Sequence, residues 1–181
     1  SLTSVTFLGT APTVGVDVFM GVADGARAVV TAEKLTSFGD IGAAWHGLVL
    51  EPYVTYWLTW TTTDGEVTII DCNTAASGEL VIPDTIEGNP VTSIGAQAFK
   101  ECSGLTSITI PDGVTSIEEK AFEGCTSLKN ITIPDGVTSI GREAFRDCTS
   151  LNSITIPDSI TSIGYYAFGA CSSLTSITIP D

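Results

Sequence analysis

The residues whose spacing best suits chemistry are cysteines that recur at a fixed interval of 23 residues: Cys102, Cys125, Cys148 and Cys171. If each interval is one coil of a solenoid, neighbouring coils lie about 4.8 Å apart. That spacing falls within the Cα separation of about 4.4–6.8 Å that a disulfide tolerates. Stacked side chains in the same rotamer are parallel, however, and free cysteine is commonly buried. The column therefore favours inert buried thiols, with disulfides and a metal site as alternatives.

A column of aspartates offers oxygen ligands at the same interval: Asp112, Asp135, Asp158 and Asp181. A calcium loop needs several oxygens that converge from one loop. Aspartate after proline, in contrast, is typical of a turn. No C-x-x-C pair adds a thiolate site, and Cys72 lies outside the period without an obvious partner. We therefore expect turn chemistry at the aspartates, and neither a metal nor a cofactor.

Hydroxyl side chains form a regular array on one predicted strand face. The array consists of Thr109, Thr132, Thr155 and Thr178, preceded at two residues' distance by Ser107, Asn130, Ser153 and Ser176. Such flat threonine arrays resemble ice-binding surfaces, although solvated strands also favour threonine by propensity alone. Lys129 and Asn130 interrupt the regularity, so an ice-binding solenoid remains a remote alternative.

Catalytic constellations are missing from the sequence. The single histidine, His46, follows Trp45 and has no identifiable acid or nucleophile partner, which a general base requires. The sequence contains no G-x-S-x-G, phosphate-binding glycine loop or H-E-x-x-H. The Asn-Ile-Thr at Asn130 matches a glycosylation acceptor, but it lies on a predicted strand and we regard it as a coincidence. We therefore expect a protein that is not an enzyme.

Composition narrows the classes of partner. The chain has 181 residues, 43% hydrophobic and 15% charged, with a formal net charge of −14. The excess of acid argues against nucleic acid and anionic membrane surfaces as partners. No stretch approaches the roughly 20 apolar residues of a membrane span, and the first residues lack the features of a signal peptide. A protein partner, or self-association, is the remaining expectation.

All of these columns belong to one repeat of 23 residues. Phenylalanine, leucine, isoleucine and proline columns keep the same step as the cysteines, as at Phe99, Phe122, Phe145 and Phe168. A period of this size is typical of a solenoid, in which each unit buries its apolar face against its neighbours. The pattern of residues within each unit predicts a strand, a Pro-Asp-Gly corner, a second short strand and about one helical turn that ends at the cysteine.

The pattern L-x-x-I-x-I-P-x-x-V-x-x-I-G-x-x-A-F-x-x-C, written between Leu105 and Cys125 with Glu118 in place of the glycine, and again between Leu128 and Cys148, resembles the 23-residue leucine-rich repeat of the BspA-like family. That family consists largely of bacterial cell-surface or secreted proteins associated with adhesion and protein binding. The resemblance implies a mainly β solenoid with an extracellular or cell-surface location, and it brings no catalytic site.

Four segments are expected along the chain. Residues 1–51 resemble the end of one repeat array followed by a small α/β closing cap, with Thr31 as a possible helix N-cap. Residues 52–56 form a connector, and residues 57–79 form a β-hairpin opening cap around Asp64-Gly65. Residues 80–181 are the repeats. In this reading the chain starts and stops in mid-coil, so it is either a window of a longer protein or a subunit whose open coils stack head to tail. Stacking would use Leu2, Val5, Phe7, Leu174, Ile177 and Ile179.

Partner contacts are expected where the repeat varies. The variable positions flank the Ala-Phe pair of each unit, and they supply Lys100, Lys120, Arg142, Arg146, Tyr165 and Tyr166. Arginine and tyrosine are favoured at protein contacts. The sequence therefore predicts a scaffold for protein interaction or adhesion, with a self-assembling extracellular filament as the alternative.

Overall fold

The computed structural model describes residues 57–179 together with strands within residues 4–7, 27–30, 44–45 and 48–52. The chain divides into two compact units, Ser1–Trp57 and Leu58–Asp181. Among the described residues, no helix has the length and apolar character needed to cross a bilayer. Thr31 and His46 lie outside the described residues, as do Leu2 and the connector residues 53–56.

The strands described within the first unit form a small sheet. Its strands are β1 (Ser4–Phe7), β2 (Arg27–Val30), β3 (Ala44–Trp45) and β4 (Leu48–Pro52). β1 pairs with β2 and β2 with β4 in parallel, while β3 is antiparallel to β4. Strands β2 and β4 lie on either side of residues 31–43, and the helix for which Thr31 is a possible N-cap falls outside the described residues.

The second unit is a β-solenoid built on two sheets. The five-strand sheet is parallel throughout and runs in the order β16-β14-β12-β10-β7. Its strands are β7 (Ser77–Val81), β10 (Gly104–Thr109), β12 (Asn130–Thr132), β14 (Ser153–Thr155) and β16 (Ser176–Thr178). From β10 to β16 each pairing joins residues one repeat apart, as in Ile154 with Ile177, whereas β7 pairs with β10 at 27 to 28 residues' distance across a register shift.

The second sheet, which includes the hairpin near the start of the unit, forms the other side of each coil. Its strands run in the order β15-β13-β11-β9-β6-β5, with β8 paired to β9. Its strands are β5 (Leu58–Thr63), β6 (Glu66–Cys72), β8 (Thr85–Ile86), β9 (Asn89–Ile94), β11 (Ser116–Ile117), β13 (Ser139–Ile140) and β15 (Ser162–Ile163). β5 and β6 are antiparallel around Asp64 and Gly65, both at positive φ, as a hairpin turn of the Asp-Gly type requires. β6 then pairs in parallel with β9.

Inward positions of both sheets fill the core. Leu105, Ile108 and Ile110 are buried, whereas Thr109 between them is exposed, as the alternation of a strand predicts. The phenylalanine column is a continuous stack: centroids of successive rings lie 5.1 Å apart from Phe99 to Phe122 and from Phe122 to Phe145. Offset aromatic pairs at such distances add about 0.5–1.5 kcal/mol each beyond their burial.

The helical turn expected after the second strand is instead a run of hydrogen-bonded turns. In the first complete coil, which ends at Cys102, every second amide donates to the carbonyl three residues before it, as Ala98 does to Gly95 at 3.2 Å. The amides between them bond to the next coil, as from Phe99 to the Ala121 carbonyl at 2.7 Å. An α-helix would direct every amide along its own axis. Because half of these amides bond to the next coil and not within their own segment, the segment is not an α-helix.

Candidate functional site

The turn face is the surface formed by residues 95–102, 118–125, 141–148 and 164–171, where the variable positions lie. Two positions in each of these turns adopt a left-handed backbone conformation, as at Gln97 (φ 63°) and Glu101 (φ 61°). At the equivalent of Glu101, the next coil has Gly124, whose φ is 75°. Ordinary residues are strained there by about 1–2 kcal/mol each. The variation in residue type therefore occurs on a tightly specified backbone.

Glu143 lies at the centre of the turn face. Its side chain is 7% exposed and contacts three cations. Arg142 approaches one carboxylate oxygen at 2.9 Å, while Arg146 and Lys120 approach the other at 3.1 and 3.6 Å. A carboxylate with so little water around it needs such compensation.

The electrostatics of Glu143 follow from these contacts. Burial alone would raise its pKa, but the hydrogen bond from Arg146 and the charge of Lys120, together with Arg142, outweigh burial, so the pKa of Glu143 is lowered. Correspondingly, the hydrogen bond to Glu143 raises the pKa of Arg146 against the opposing effect of burial. Glu143 is therefore a charged carboxylate at neutral pH.

A second column of alternating charge lies beside the first. Glu123 bridges two coils, with Lys100 at 3.3 Å from one oxygen and Arg146 at 3.4 Å from the other. Lys100, Glu123 and Arg146 are separated by one period each, as are Lys120 and Glu143. Opposite charges at this interval were the sequence signal for these contacts, and sequence reasoning overlooked it. The two glutamates lie among the basic residues predicted to contact a partner.

The four predicted basic residues thus lie close together, and each of them forms an ion pair with a carboxylate. The aromatic pair differs. Tyr165 is 75% exposed and Tyr166 is 50% exposed. Their rings lie 5.9 Å apart, and the Arg146 guanidinium lies 5.9 Å from the centre of the Tyr166 ring. Tyr165 is therefore the most exposed residue of the predicted site, and Arg142, with 57% of its side chain exposed, is accessible beside the tyrosine pair.

Gly169 makes room for this arrangement. A side-chain carbon at that position would collide with the Tyr166 ring. The other coils carry Lys100, Glu123 and Arg146 at the same position of the repeat. Only a glycine is compatible with the observed position of the tyrosine.

The outward face of the five-strand sheet carries the predicted hydroxyl array. Its threonine column is exposed at Thr109, Thr132, Thr155 and Thr178, while Ser107 is half-buried. A shallow hollow of about 90 Å³ lies between strands β10 and β12, bounded by Ser107, Thr109, Asn130 and Thr132. This face is polar and solvated, and it offers a groove too small for a chain-like ligand.

The Pro-Asp-Gly corners are simple turns. The amide of Val114 bonds to the Pro111 carbonyl at 3.1 Å across Asp112 and Gly113, and the next corner repeats the bond at the same distance. The described aspartates of the column are exposed. Within the described residues, histidine, cysteine and acidic side chains do not gather into a group of three or more that could hold a metal.

The cysteines have a structural role in the coils. Their thiols donate to the phenylalanine carbonyl of the preceding coil, as from Cys125 to Phe99 at 3.1 Å and from Cys148 to Phe122 at 3.2 Å. Burial raises the pKa of Cys125, so this thiol is a poor nucleophile. Cys72, which has no partner in the repeat pattern, lies against Cys102.

Known proteins share both the repeat and the fold of this chain. Residues 79–181 match the BspA type Leucine rich repeat region in six copies. A leucine-rich repeat protein from Bacteroides capillosus is 32% identical with a TM-score of 0.61, covering 69% of this chain and 95% of that chain. The leucine rich repeat protein of T. pallidum is 28% identical with a TM-score of 0.60, covering 69% and 70%.

One similar structure extends over the first unit as well. A leucine rich cell surface protein from Faecalibacterium prausnitzii covers 97% of this chain and 47% of its own, with 22% identity and a TM-score of 0.50. No curated protein matches the chain. Because the repeat pattern spans more than half of the sequence and the solenoid coils follow its period, the chain belongs to the BspA type leucine-rich repeat family.

Proposed function

We propose that this solenoid is a non-enzymatic scaffold of a bacterial cell-surface or secreted protein, and that it binds a protein partner through the turn face. The observation that carries the proposal is the exposed Tyr165 and Tyr166 pair on a backbone held by the neighbouring coil. Tyrosine presents a large, amphipathic contact surface at low entropic cost, and a rigid backbone reduces what must be ordered on binding. Location at the cell surface rests on the family resemblance.

The charged columns support the same face. Lys100, Lys120, Arg142 and Arg146 are paired with glutamates, and the Arg146 guanidinium lies 5.9 Å from the centre of the Tyr166 ring. Energetically neutral contacts of this kind commonly surround the few residues that dominate an interface. The candidate binding residues are therefore the two tyrosines first and the four basic residues second.

Binding of the full chain to an array of immobilised extracellular and cell-surface proteins tests the proposal. Any interaction that uses the turn face should weaken by about 30-fold or more in Tyr165→Ala/Tyr166→Ala, as expected for the loss of a binding hot spot. Gly169→Ala should weaken it too, because the tyrosine ring is displaced while both tyrosines remain. Thr132→Ala/Thr155→Ala, on the outward strand face, is the matched control. A partner whose affinity responds only to the threonine variant contradicts the proposal.

Self-assembly is the second candidate, because neighbouring coils already pair in parallel register and Ile177 and Ile179 lie on and beside the strand β16. In that case copies would stack through these residues with Leu174 on one side and Leu2, Val5 and Phe7 on the other. Negative-stain microscopy and sedimentation of the full chain distinguish the two. Filaments that dissolve in Ile177→Lys/Ile179→Lys support assembly, whereas dispersed monomers eliminate it.

The segments flanking the repeats keep their proposed roles as caps. The β5–β6 hairpin is suited to an opening cap, because Val67 and Ile69 of β6 are fully buried and β6 pairs in parallel with β9. Residues 1–51 are proposed to end a preceding array, consistent with the parallel pairing of β1, β2 and β4. Deleting residues 57–72 should then expose the first coil and make the repeats aggregate.

A further inference from the structure

Cys72 and Cys102 form the one cysteine contact in the described part of the chain that departs from the repeat. Cys72 is the last residue of β6, in the hairpin, whereas Cys102 ends the turns of the first complete coil. The Cys102 thiol lies 3.5 Å from the Cys72 carbonyl oxygen, and both thiols approach the carbonyl oxygen of Asn73, at 3.8 Å from Cys72 and 4.0 Å from Cys102. Both side chains are buried, with 2% and 0% exposure.

The remaining cysteines are arranged differently. Cys125, Cys148 and Cys171 occupy the same position of successive coils, and each donates to a phenylalanine carbonyl at 3.0–3.2 Å. Their equivalent positions make the side chains parallel, and a bridge between two neighbours would break both of their short hydrogen bonds. Cys72 comes from a strand outside the period, so that objection does not apply to it.

We propose that Cys72 and Cys102 form a disulfide that fastens the β5–β6 hairpin to the first complete coil. The bond would close a loop of residues 72–102, which contains β7, β8 and β9 and therefore most of one coil. A cross-link of this kind stabilises chiefly by restricting the unfolded chain. It would act at the junction between the hairpin and the repeats, where stacking cannot rely on the repeated contacts.

The chemistry requires a disulfide oxidant, such as glutathione disulfide or a protein thiol oxidase. The Cys102 thiol loses its proton, and the thiolate attacks one sulfur of the oxidant and releases the oxidant's first thiolate. Cys72 then loses its proton and attacks the Cys102 sulfur of the mixed disulfide, which releases the second. Two protein thiols lose two protons and two electrons, and the oxidant becomes two thiols. Because both residues are buried, the exchange takes place during folding.

Peptide mapping tests the bond in the full chain. The reduced, unfolded protein is refolded with glutathione and glutathione disulfide, free thiols are blocked in acid-quenched samples, and trypsin is added without reductant. Cleavage after Lys34, Lys100 and Lys120 places Cys72 in peptide 35–100 and Cys102 in peptide 101–120. The expected product joins these two peptides while the other cysteines are alkylated. Five alkylated cysteines, or a bond within peptide 147–181 instead, would overturn the proposal.

A melting experiment tests what the bond does. The oxidised protein should melt about 10 °C above the reduced protein, from the size of the closed loop. Cys72→Ala should abolish the difference, and Cys171→Ala should retain it as the matched control. A mapped bond that leaves the melting temperature unchanged would refute the fastening role, and the mapping on the unaltered chain stands even if a variant fails to fold.

Discussion

At two adjacent residues of the turn face, alanine and glycine should have opposite effects on the stability of the protein. Ala96 and Gln97 are both exposed, but only Gln97 has a positive φ, of 63°. At position 97, glycine avoids the strain of about 1–2 kcal/mol that alanine has in the left-handed conformation. Glycine also makes the unfolded chain more flexible than alanine does, which lowers the stability of the folded protein by about 0.4–1 kcal/mol. Glycine should therefore exceed alanine by about 0.5–1 kcal/mol at position 97, while alanine exceeds glycine by about 0.4–1 kcal/mol at position 96.

The comparison needs Gln97→Gly, Gln97→Ala and Ala96→Gly beside the unaltered protein, with urea unfolding followed by far-UV circular dichroism. Gly124→Ala provides an independent check at φ 75°. Its new methyl group would meet the nearest Glu101 atom at 3.4 Å, an ordinary contact, so backbone strain should dominate a loss of about 1 kcal/mol. If alanine and glycine rank alike at positions 96 and 97, the left-handed turn geometry is refuted and with it the account of why these segments are not helices.

Three other perturbations test the core, the thiols and the charged centre. Phe122→Ala should lower the free energy of unfolding by about 3–5 kcal/mol, measured by urea titration, and Phe122→Leu by much less, because leucine keeps most of the apolar contact; equal losses would contradict a role for the ring stack. Cys125 should react with a thiol reagent at pH 8 only as fast as the coil opens, since burial raises its pKa; a rate like that of a free thiol would show that it is accessible. Glu143→Gln should be less stable than the unaltered protein at pH 7, and the gap should close as the pH falls below 4.5, the ordinary pKa of the carboxyl, because a lowered folded pKa contributes stability only above the unfolded value. A gap that widens in acid would reverse that assignment.

The coil architecture could be read from the sequence because the repeat converts distance along the chain into contact. Residues 23 apart occupy the same position in adjacent coils, so identifying the period also identifies strand partners such as Ile154 and Ile177. Alternation of apolar and polar residues then predicts which side chains face the core, as at Ile108 and Thr109. Both rules depend only on backbone geometry, which is common to all coils.

The turn face depended on details that the pattern does not contain. A run such as Glu-Lys-Ala-Phe has good helix formers, and helical propensity is a local quantity. The structure uses alternate amides between coils instead, which forces left-handed residues at Lys120 and Gly124. Non-local hydrogen bonds therefore overruled the local preference.

The period, the columns of the core and the family follow from residues that recur at one interval, so they could be predicted without a structure. Which variable side chains are accessible depended on the three-dimensional fold. Glu143 neutralises its basic neighbours and Tyr165 remains exposed, and both depend on side-chain directions within the turns. The contact between Cys72 and Cys102 depended on it as well, since the hairpin lies outside the period and no interval relates the two residues.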